Sequence, residues 1–337
     1  MSAKIYTYFI GIDISRNELD YAVMKGGDLL FHRETKNEPA AIADFLTELK
    51  SLARFTMSKA LFCMEATGFY GNHLMITLNR LKTNVVVEDS MHIKYSLGTI
   101  RGKNDRLDAI RIAHYAYTHR EHLVLYSTKS PAITRLQYLF ALRNRLMRIS
   151  MVLLTPINEQ KQFISKGLQK ELVGACKKTV SACRLEVDQT DMAIDLVIRG
   201  NERLNRLFQI ITSVPNVGRV TAIQIILSTN AFRDITNPRK FACYAGVAPF
   251  RRESGLFKGK ASVSHIANKK VKALLHICAV TAIRADQPFR AYYERKIAEG
   301  KAKMAVINAI RYKLILRIFA CLNQDRLYDP EYNQQYF

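Results

Sequence analysis

The sequence predicts an α/β layer fold over residues 1–125, followed by mainly helical structure as far as residue 337. Three observations support this prediction. The first 125 residues alternate short apolar runs of strand length with amphipathic helical patterns. From Pro131 onward, apolar residues recur at helical spacing over segments much longer than a strand. The chain of 337 residues is also longer than one typical domain, so at least two domains are expected.

The N-terminal elements begin with three short strands, which turn signals such as Gly26-Gly27 separate. Pro39 then opens an amphipathic helix whose apolar side chains share one face. The predicted strands cover residues 6–14, 18–24, 29–34, 60–65 and 84–88, and the predicted helices begin at residue 39, at about residue 70 and within residues 101–117. A meander followed by alternating strands and helices is typical of an α/β layer fold.

Two long helical patterns follow, the first ending at Pro156 and the second interrupted only at Gly174 and Gly200. They cover residues 131–156 and about 168–211. Their apolar stripes favour an antiparallel hairpin or a coiled-coil arm, and a plain helical domain is an equally good interpretation. We therefore divide the chain into an α/β domain (residues 1–125), a helical coiled-coil region (126–205) and a mainly helical C-terminal domain (206–337).

Within the C-terminal domain, the pattern after Pro215 predicts short helical segments and then a basic loop. The loop is predicted over residues 250–270, and helices are predicted over about 271–285 and 303–322.

The charge of the chain is unevenly distributed. Residues 1–125 contain 16 Lys and Arg against 14 Asp and Glu, whereas residues 126–337 contain 35 against 15, so almost the whole net charge of +22 belongs to the second part. Such an excess favours a polyanionic partner, either nucleic acid or an anionic membrane surface. No apolar run reaches membrane-spanning length and no signal-peptide pattern is visible, so a cytoplasmic protein without a membrane partner is expected.

Four acidic residues stand out against this background. Asp13 and Glu65 lie at the ends of apolar strands, where a lone carboxylate is costly to desolvate. Asp105 and Asp108 are three residues apart and share one face of a helix. If the first and fourth strands are neighbours and this helix packs across them, the four carboxylates converge, and their oxygens suit Mg²⁺ or Mn²⁺. The alternative is that they are turn and capping residues, with Asp105 as the helix N-cap.

The sequence resembles a known family at several motifs. GIDIS, MEATG and KNDRLDA, in this order, resemble the Asp-Glu-Asp-Asp set of the Piv invertase and IS110 family of insertion-sequence transposases, which includes recombinases guided by a bridge RNA. SVPNVGRVTA resembles the family's helix-hairpin-helix-like segment, and FACYAGVAPFRRESG resembles the segment that carries its catalytic serine. The resemblance covers nearly the whole chain, although the middle helices match in character more than in sequence.

The resemblance implies a fold, a set of catalytic residues and a reaction. Residues 1–125 would form an RNase H-like (RuvC-like) domain, and residues 206–337 a transposase domain. Asp13, Glu65, Asp105 and Asp108 would be the catalytic metal ligands. Ser254, which by itself is an ordinary loop hydroxyl next to a glycine, would attack a DNA phosphodiester and form a phosphoserine intermediate.

The resemblance also implies partners. These are donor and target DNA, a guide (bridge) RNA, and further copies of the chain in a homodimer or homotetramer whose active sites are shared between subunits. The protein would be associated with the bacterial nucleoid when it acts. No zinc-finger or helix-turn-helix pattern is recognisable in the sequence, as expected if a guide RNA selects the target.

Basic residues near these motifs are candidates for nucleic-acid contacts. Arg219 precedes a helix and could help to hold a phosphate at its N-terminus, or it could simply pack there. Asn216 stands where the family commonly has Gly, and Asn also tolerates left-handed backbone geometry. The full set of candidates is Arg101, Lys103, Arg106, Arg219, Arg251, Arg252, Lys258, Lys260, Lys269 and Lys270.

Other protein classes remain possible at this point. A Holliday-junction resolvase of the RuvC class would need the four acids but not the serine, and a site-specific invertase would need no guide RNA. A sugar-kinase or actin-like ATPase also begins with a strand of the GID type, but it needs glycine-rich phosphate loops that we do not find. A non-catalytic nucleic-acid-binding protein would show no metal-dependent cleavage.

Overall fold

The computed structural model describes residues 5–96, 104–254, 257–263 and 267–331. Of residues 251–254, 257, 258 and 260–262, it describes the backbone alone. Two units are distinguished, Met1–Thr128 and Lys129–Phe337. The further division of the second part at residue 205 stays a prediction.

The N-terminal unit contains a five-stranded sheet in the order β3-β2-β1-β4-β5. Its strands are β1 (Tyr8–Ile14), β2 (Glu18–Lys25), β3 (Asp28–Lys36), β4 (Ala60–Glu65) and β5 (Asn84–Glu88). β2 runs antiparallel to both β1 and β3, whereas β1, β4 and β5 are parallel to one another. The mixed sheet with its helices confirms the predicted α/β layer fold. Its RNase H-like (RuvC-like) character stays a prediction.

Helices cover both faces of this sheet. They are α1 (Pro39–Ser51), α2 (Asn72–Arg80), α3 (Ser90–Ser96) and α4 (Asp105–His119), of which α3 was not predicted. Side chains alternate along β1, so Ile10 and Ile12 pack with α1 and α2 on one face, while Phe9 packs with α4 on the other. Each face is buried by apolar residues at strand or helix spacing, which is the pattern that made these elements predictable.

Helix α4 lies directly on the backbone of β1 because Gly11 has no side chain. A Cβ atom added at Gly11 would lie 2.2 Å from the Ala109 carbonyl oxygen and 2.2 Å from the Ala113 amide nitrogen. Since these are backbone atoms, neither can move aside without moving the helix. Gly11 therefore fixes how closely α4 approaches the sheet.

The C-terminal unit begins with two long helices that pack along each other, α5 (Pro131–Glu159) and α6 (Lys166–Arg199). Arg143 Nε on α5 donates a hydrogen bond of 2.8 Å to Asp191 Oδ1 on α6 and so links the two helices. The sequence predicts that the first long helix ends at Pro156, but α5 continues to Glu159. The second pattern is not one helix, because the chain turns at Gly200 and α7 (Glu202–Ser213) begins. Whether the pair acts as a coiled coil stays a prediction.

The rest of this unit surrounds a core to which the beginning of α5 and the end of α6 also contribute. Its elements are α8 (Arg219–Ser228), α9 (Pro238–Tyr244), β6 (Pro249–Ser254), β7 (Phe257–Val263), α10 (Lys269–Ala285), α11 (Gln287–Ala298) and α12 (Lys303–Asn323). The predicted basic loop over residues 250–270 was wrong over most of its length, because β6 and β7 pair as an antiparallel hairpin. Helix α11 was not predicted. No helix in the described ranges is long and apolar enough to cross a membrane.

Candidate metal and nucleic-acid site

Asp13 and Glu65 lie side by side at one edge of the N-terminal sheet. Ile12 of β1 pairs with Met64 of β4, and the two acids are the next residues of these parallel strands. Their side chains point to the face on which Phe9 and Cys63 pack against α4. Because parallel strands end at the same edge, the fold brings together two carboxylates that are far apart in sequence.

The first turn of α4 brings two more acids to this edge. Asn104 is the N-cap, its side chain accepting a hydrogen bond of 2.7 Å from the Leu107 amide, so Asp105 is the first helical residue and not the cap. Burial raises the pKa of Asp13, and the carboxylates of Asp105 and Asp108 raise it further. Three of the four predicted acids therefore interact, and Glu65 lies beside Asp13 on the neighbouring strand. We call these four residues the acidic edge.

The acidic edge has the donor chemistry of a site for a hard divalent cation, since it offers carboxylate oxygens only. Asp108 also forms a salt bridge of 2.6 Å with Arg111, one turn later on the same helix. Among the described residues, no group of three or more Asp, Glu, His or Cys side chains is close enough to hold a metal as it stands. The residue types fit Mg²⁺ or Mn²⁺, and the assignment of the four as ligands stays a prediction.

Two further acids on the same face were missed from the sequence. Asp20 on β2 lies opposite Asp13, and its Oδ1 forms a hydrogen bond of 2.7 Å with His32 Nε2. Glu88, at the end of β5, accepts a hydrogen bond of 3.1 Å from the Tyr115 hydroxyl and bonds to His92 Nδ1 at 2.8 Å. A signal for Glu88 was present, because NVVVE ends in an acid after an apolar run just as LFCME does at Glu65. Asp20 could be placed only once the register of β1 and β2 was known.

Ser254 is the last residue of β6 and pairs with Phe257 at the start of β7. Its backbone therefore belongs to a hairpin and not to an irregular loop. Arg251, Arg252, Lys258 and Lys260 lie along the same two strands. The roles of Ser254 and of these cations stay predictions.

The other basic candidates occupy different surroundings. Arg106 is exposed in the first turn of α4, and Lys269 and Lys270 are the exposed first residues of α10. Arg101 and Lys103 lie outside the described residues. Cations at a helix N-terminus are unfavourably placed in the field of the helix, so an anionic ligand at Lys269 and Lys270 would relieve that cost.

Arg219 has intramolecular partners in this structure. Its guanidinium donates to the Asp191 carbonyl at 2.9 Å and pairs with the Asp195 carboxylate, tying the start of α8 to α6. The preceding Asn216 has a φ of 66°, the left-handed geometry that we expected Asn to tolerate. The roles of Arg219 in phosphate binding and of this segment as a helix-hairpin-helix element stay predictions.

Comparison with protein families gives two matches, which between them cover most of the chain. Residues 10–154 match a model described as Transposase, for the IS110-type proteins with the DEDD residues. Residues 208–294 match the model Transposase IS116/IS110/IS902 family. The first match includes all of the acidic edge, and the second includes Ser254.

Individual relatives agree with these matches. The chain is 24% identical to a pilin gene-inverting protein of Moraxella bovis, over 97% of this chain and 99% of that protein. It is 26% identical to the insertion element IS900 uncharacterized 42 kDa protein of Mycobacterium paratuberculosis, over 54% of this chain and 45% of that protein. A solved structure titled T. thermophilus RuvC in complex with Holliday junction substrate is similar over 36% of this chain and 100% of that chain, with 16% identity and a TM-score of 0.28.

Proposed function

Because the chain belongs to the IS110 family of transposases, we propose that it cleaves and exchanges DNA strands through a phosphoserine intermediate. The main support is that Asp13 lies close enough to Asp105 and Asp108 to interact with them: burial raises the pKa of Asp13, and the two neighbouring carboxylates raise it further. A cluster of like charges on a rigid sheet is costly unless a cation offsets it. Such clusters are typical of sites that transfer phosphoryl groups with metal ions.

Asp13, Glu65, Asp105 and Asp108 would hold Mg²⁺ or Mn²⁺. When bound, the metal would polarise the scissile phosphate and offset the negative charge that develops there. Asp13 and Glu65 are fixed by adjacent parallel strands, and Asp105 and Asp108 by a helix that rests on Gly11. The chain thus positions the four donors through its backbone, and the Arg111 guanidinium competes for Asp108 until the site is filled.

In the chemical step, the Ser254 oxygen would bond to phosphorus while the bond from phosphorus to one sugar oxygen breaks. The serine proton would pass through a base to the departing sugar oxygen, so that atoms and charge balance. The phosphoserine ester retains the energy of the broken bond, and the hydroxyl of a new strand can reverse the attack without ATP. Cleavage and religation therefore need no cofactor other than the metal.

We further propose donor and target DNA as substrates, a guide (bridge) RNA as the element that selects them, and a homodimer or homotetramer as the active assembly. The net charge of +22 and the exposed Lys269 and Lys270 support contacts with nucleic-acid backbone. The pair of α5 and α6 supports assembly as a coiled-coil arm, and the segment at Asn216 supports a helix-hairpin-helix element. Action on chromosomal DNA would place the protein at the nucleoid.

A second candidate is a site-specific DNA invertase that needs no guide RNA. The relative from Moraxella bovis, which is named for gene inversion, aligns over nearly the full length of both chains and favours this alternative. Purifying the protein with its bound nucleic acid and sequencing that nucleic acid separates the two. A discrete structured RNA supports guidance, and exchange by RNA-free protein supports the invertase.

The sharing of active sites is tested by mixing two inactive variants, Asp13→Ala and Ser254→Ala, and the serine step is tested by Ser254→Ala alone. If active sites are shared between subunits, the mixture recovers strand exchange that neither variant has alone. Ser254→Ala alone also separates the proposed function from a RuvC-type resolvase, because a resolvase variant without the serine would still cleave. A Ser254→Ala protein that cleaves like the wild type would overturn the phosphoserine mechanism.

A further inference from the structure

A cavity in the C-terminal unit lies outside the regions that the proposed chemistry uses. Its volume is about 1040 Å³, slightly above the upper end of the usual range for small-molecule sites. The segment before α8, the start of α11, one face of α12 and the chain around residues 328–330 form its walls. Six of its side chains are aromatic or cationic: Phe289, Tyr292, Arg295, Lys313, Arg317 and Tyr328. We call it the aromatic cavity.

The cations of the aromatic cavity lie against its rings. The Lys313 ammonium is 4.9 Å from the centre of the Tyr292 ring, and the Arg295 guanidinium carbon is 5.7 Å from it. The Arg317 guanidinium carbon lies 4.1 Å from the Phe289 ring centre and 5.6 Å from that of Tyr328. These contacts hold flat aromatic and guanidinium surfaces and three positive charges within one concave wall.

The described residues that line the aromatic cavity include more cationic than acidic side chains. Of the lining residues that are described, three are Lys or Arg and one, Asp286, is acidic. Asp286 lies 3.4 Å from Arg317, a side chain that is only 12% exposed. Burial lowers the pKa of Lys313, and the charges of Arg317 and Arg295 lower it further. An anionic ligand would relieve this repulsion.

We propose that the aromatic cavity binds an unpaired segment of nucleic acid, with a base on its aromatic and guanidinium surfaces and the flanking phosphates on Lys313 and Arg295. Aromatic rings combined with cations are the usual means of holding single strands, since each nucleotide offers a flat base and a negative charge. Base-paired DNA would present phosphates here but keep its bases stacked inside the duplex, so it would leave the rings without a partner.

This inference goes beyond the proposed function, because it concerns a second binding site and not strand cleavage. It agrees with that function, since strand exchange exposes unpaired DNA and a guide RNA would have unpaired loops. Binding does not require the acidic edge or Ser254. Failure of the recombinase proposal therefore leaves the cavity testable, and failure of the cavity leaves the recombinase proposal intact.

The test is binding of the full-length protein to a fluorescein-labelled 12-nucleotide oligothymidylate and to a duplex of the same length, measured by fluorescence anisotropy. Tyr292→Leu removes a stacking surface while keeping an apolar side chain, and it should weaken single-strand binding by about 5- to 100-fold. Duplex binding should stay nearly unchanged. Lys313→Gln should reduce the salt dependence of single-strand binding by about 0.7 in the log-log slope, as expected for one lost phosphate contact.

Three matched variants serve as controls. Tyr292→Phe keeps the ring and should bind as the wild type does. Tyr138→Leu makes the same aromatic-to-leucine change at a half-exposed position on α5, and Lys301→Gln removes an exposed charge outside the cavity. Thermal unfolding checks that each variant is folded. Unchanged single-strand affinity in folded Tyr292→Leu, or equal losses for single strand and duplex, would overturn the proposal.

Discussion

The acidic edge of the N-terminal unit and the first two residues of α10 in the C-terminal unit, Lys269 and Lys270, place charge in opposite surroundings. We call these two lysines the basic segment. Asp13 is half-buried at the end of a strand, among other carboxylates that raise its pKa. Lys269 and Lys270 are exposed at the start of α10, where water can solvate them. The first arrangement costs free energy within the protein itself, whereas the second costs little.

This difference shows how each unit is suited to the ligand proposed for it. A compact cation needs donors that are fixed before it arrives, and a sheet with a helix resting on it provides such rigidity. A flexible polyanion needs many exposed charges of which no single one is essential. Substitutions at the acidic edge should therefore have large and specific effects, and those at the basic segment smaller and more uniform ones.

The largest expected effect is that of Asp13→Asn. Losing one of the proposed ligand carboxylates should lower the rate of strand cleavage by about a thousandfold, the scale of several kcal/mol of charge stabilisation at a metal site. The melting temperature without metal should stay the same or rise, because one of several mutually repelling carboxylates becomes neutral. Asp28→Asn, at an exposed position at the start of β3, should change neither quantity. A marked fall in the melting temperature of Asp13→Asn would contradict the electrostatic account.

Gly11→Ala should have the next largest effect. The added methyl group would overlap the backbone of α4, so we expect the free energy of unfolding to fall by about 3 kcal/mol or more. Urea unfolding of the purified variant measures this change. Gly174→Ala on α6 is the matched control, because nothing lies within 4 Å of the added atom. That substitution should stabilise the protein by about 1 kcal/mol through helix propensity, and the same sign for both would refute the packing argument.

The double substitution Lys269→Gln with Lys270→Gln should weaken DNA binding by about tenfold and reduce the salt slope by nearly two. It should also raise the melting temperature slightly, because it removes positive charge from a helix N-terminus. Salt-dependent anisotropy and thermal unfolding measure the two effects. Lys50→Gln, in the last turn of α1, should have the opposite effect on stability and little effect on binding. Unchanged salt dependence in the double variant would show that these lysines do not contact phosphates.

The smallest expected effect concerns His276 on α10. Burial lowers its pKa, and the positive charge of Arg311 lowers it further. The unfolded chain therefore takes up this proton first, so the stability that neutral His276 contributes above about pH 6.5 is lost as the pH falls. The melting temperature of His276→Gln should decrease less steeply than that of the wild type between about pH 7.5 and 5.5. His73→Gln, at an exposed histidine, should keep the wild-type slope.

Strands with alternating or continuous apolar residues were predictable because burial of a sheet face leaves a local pattern. The β6 and β7 hairpin was not, because PFRRES and FKGKASV are rich in charge and read as a loop. Pro156 also misled the prediction, since α5 runs on through it to Glu159. In the site, the position of Asp20 opposite Asp13 could not be predicted, because it depends on the register between β1 and β2. The sequence of a single strand does not encode that register. The motifs located single residues, and the fold was needed to show which of them meet.

Gly11 links two quantities: the distance between the sheet and α4, and the geometry of the proposed reaction centre. The distance between sheet and helix is set by one missing carbon atom, and Asp105 and Asp108 are carried by the same helix. A larger residue at position 11 would shift both acids relative to Asp13 even though it touches none of them. The spacing of the proposed metal donors and the packing of the core therefore cannot be altered independently, which makes Gly11 a position from which metal selectivity could be tuned without changing any ligand.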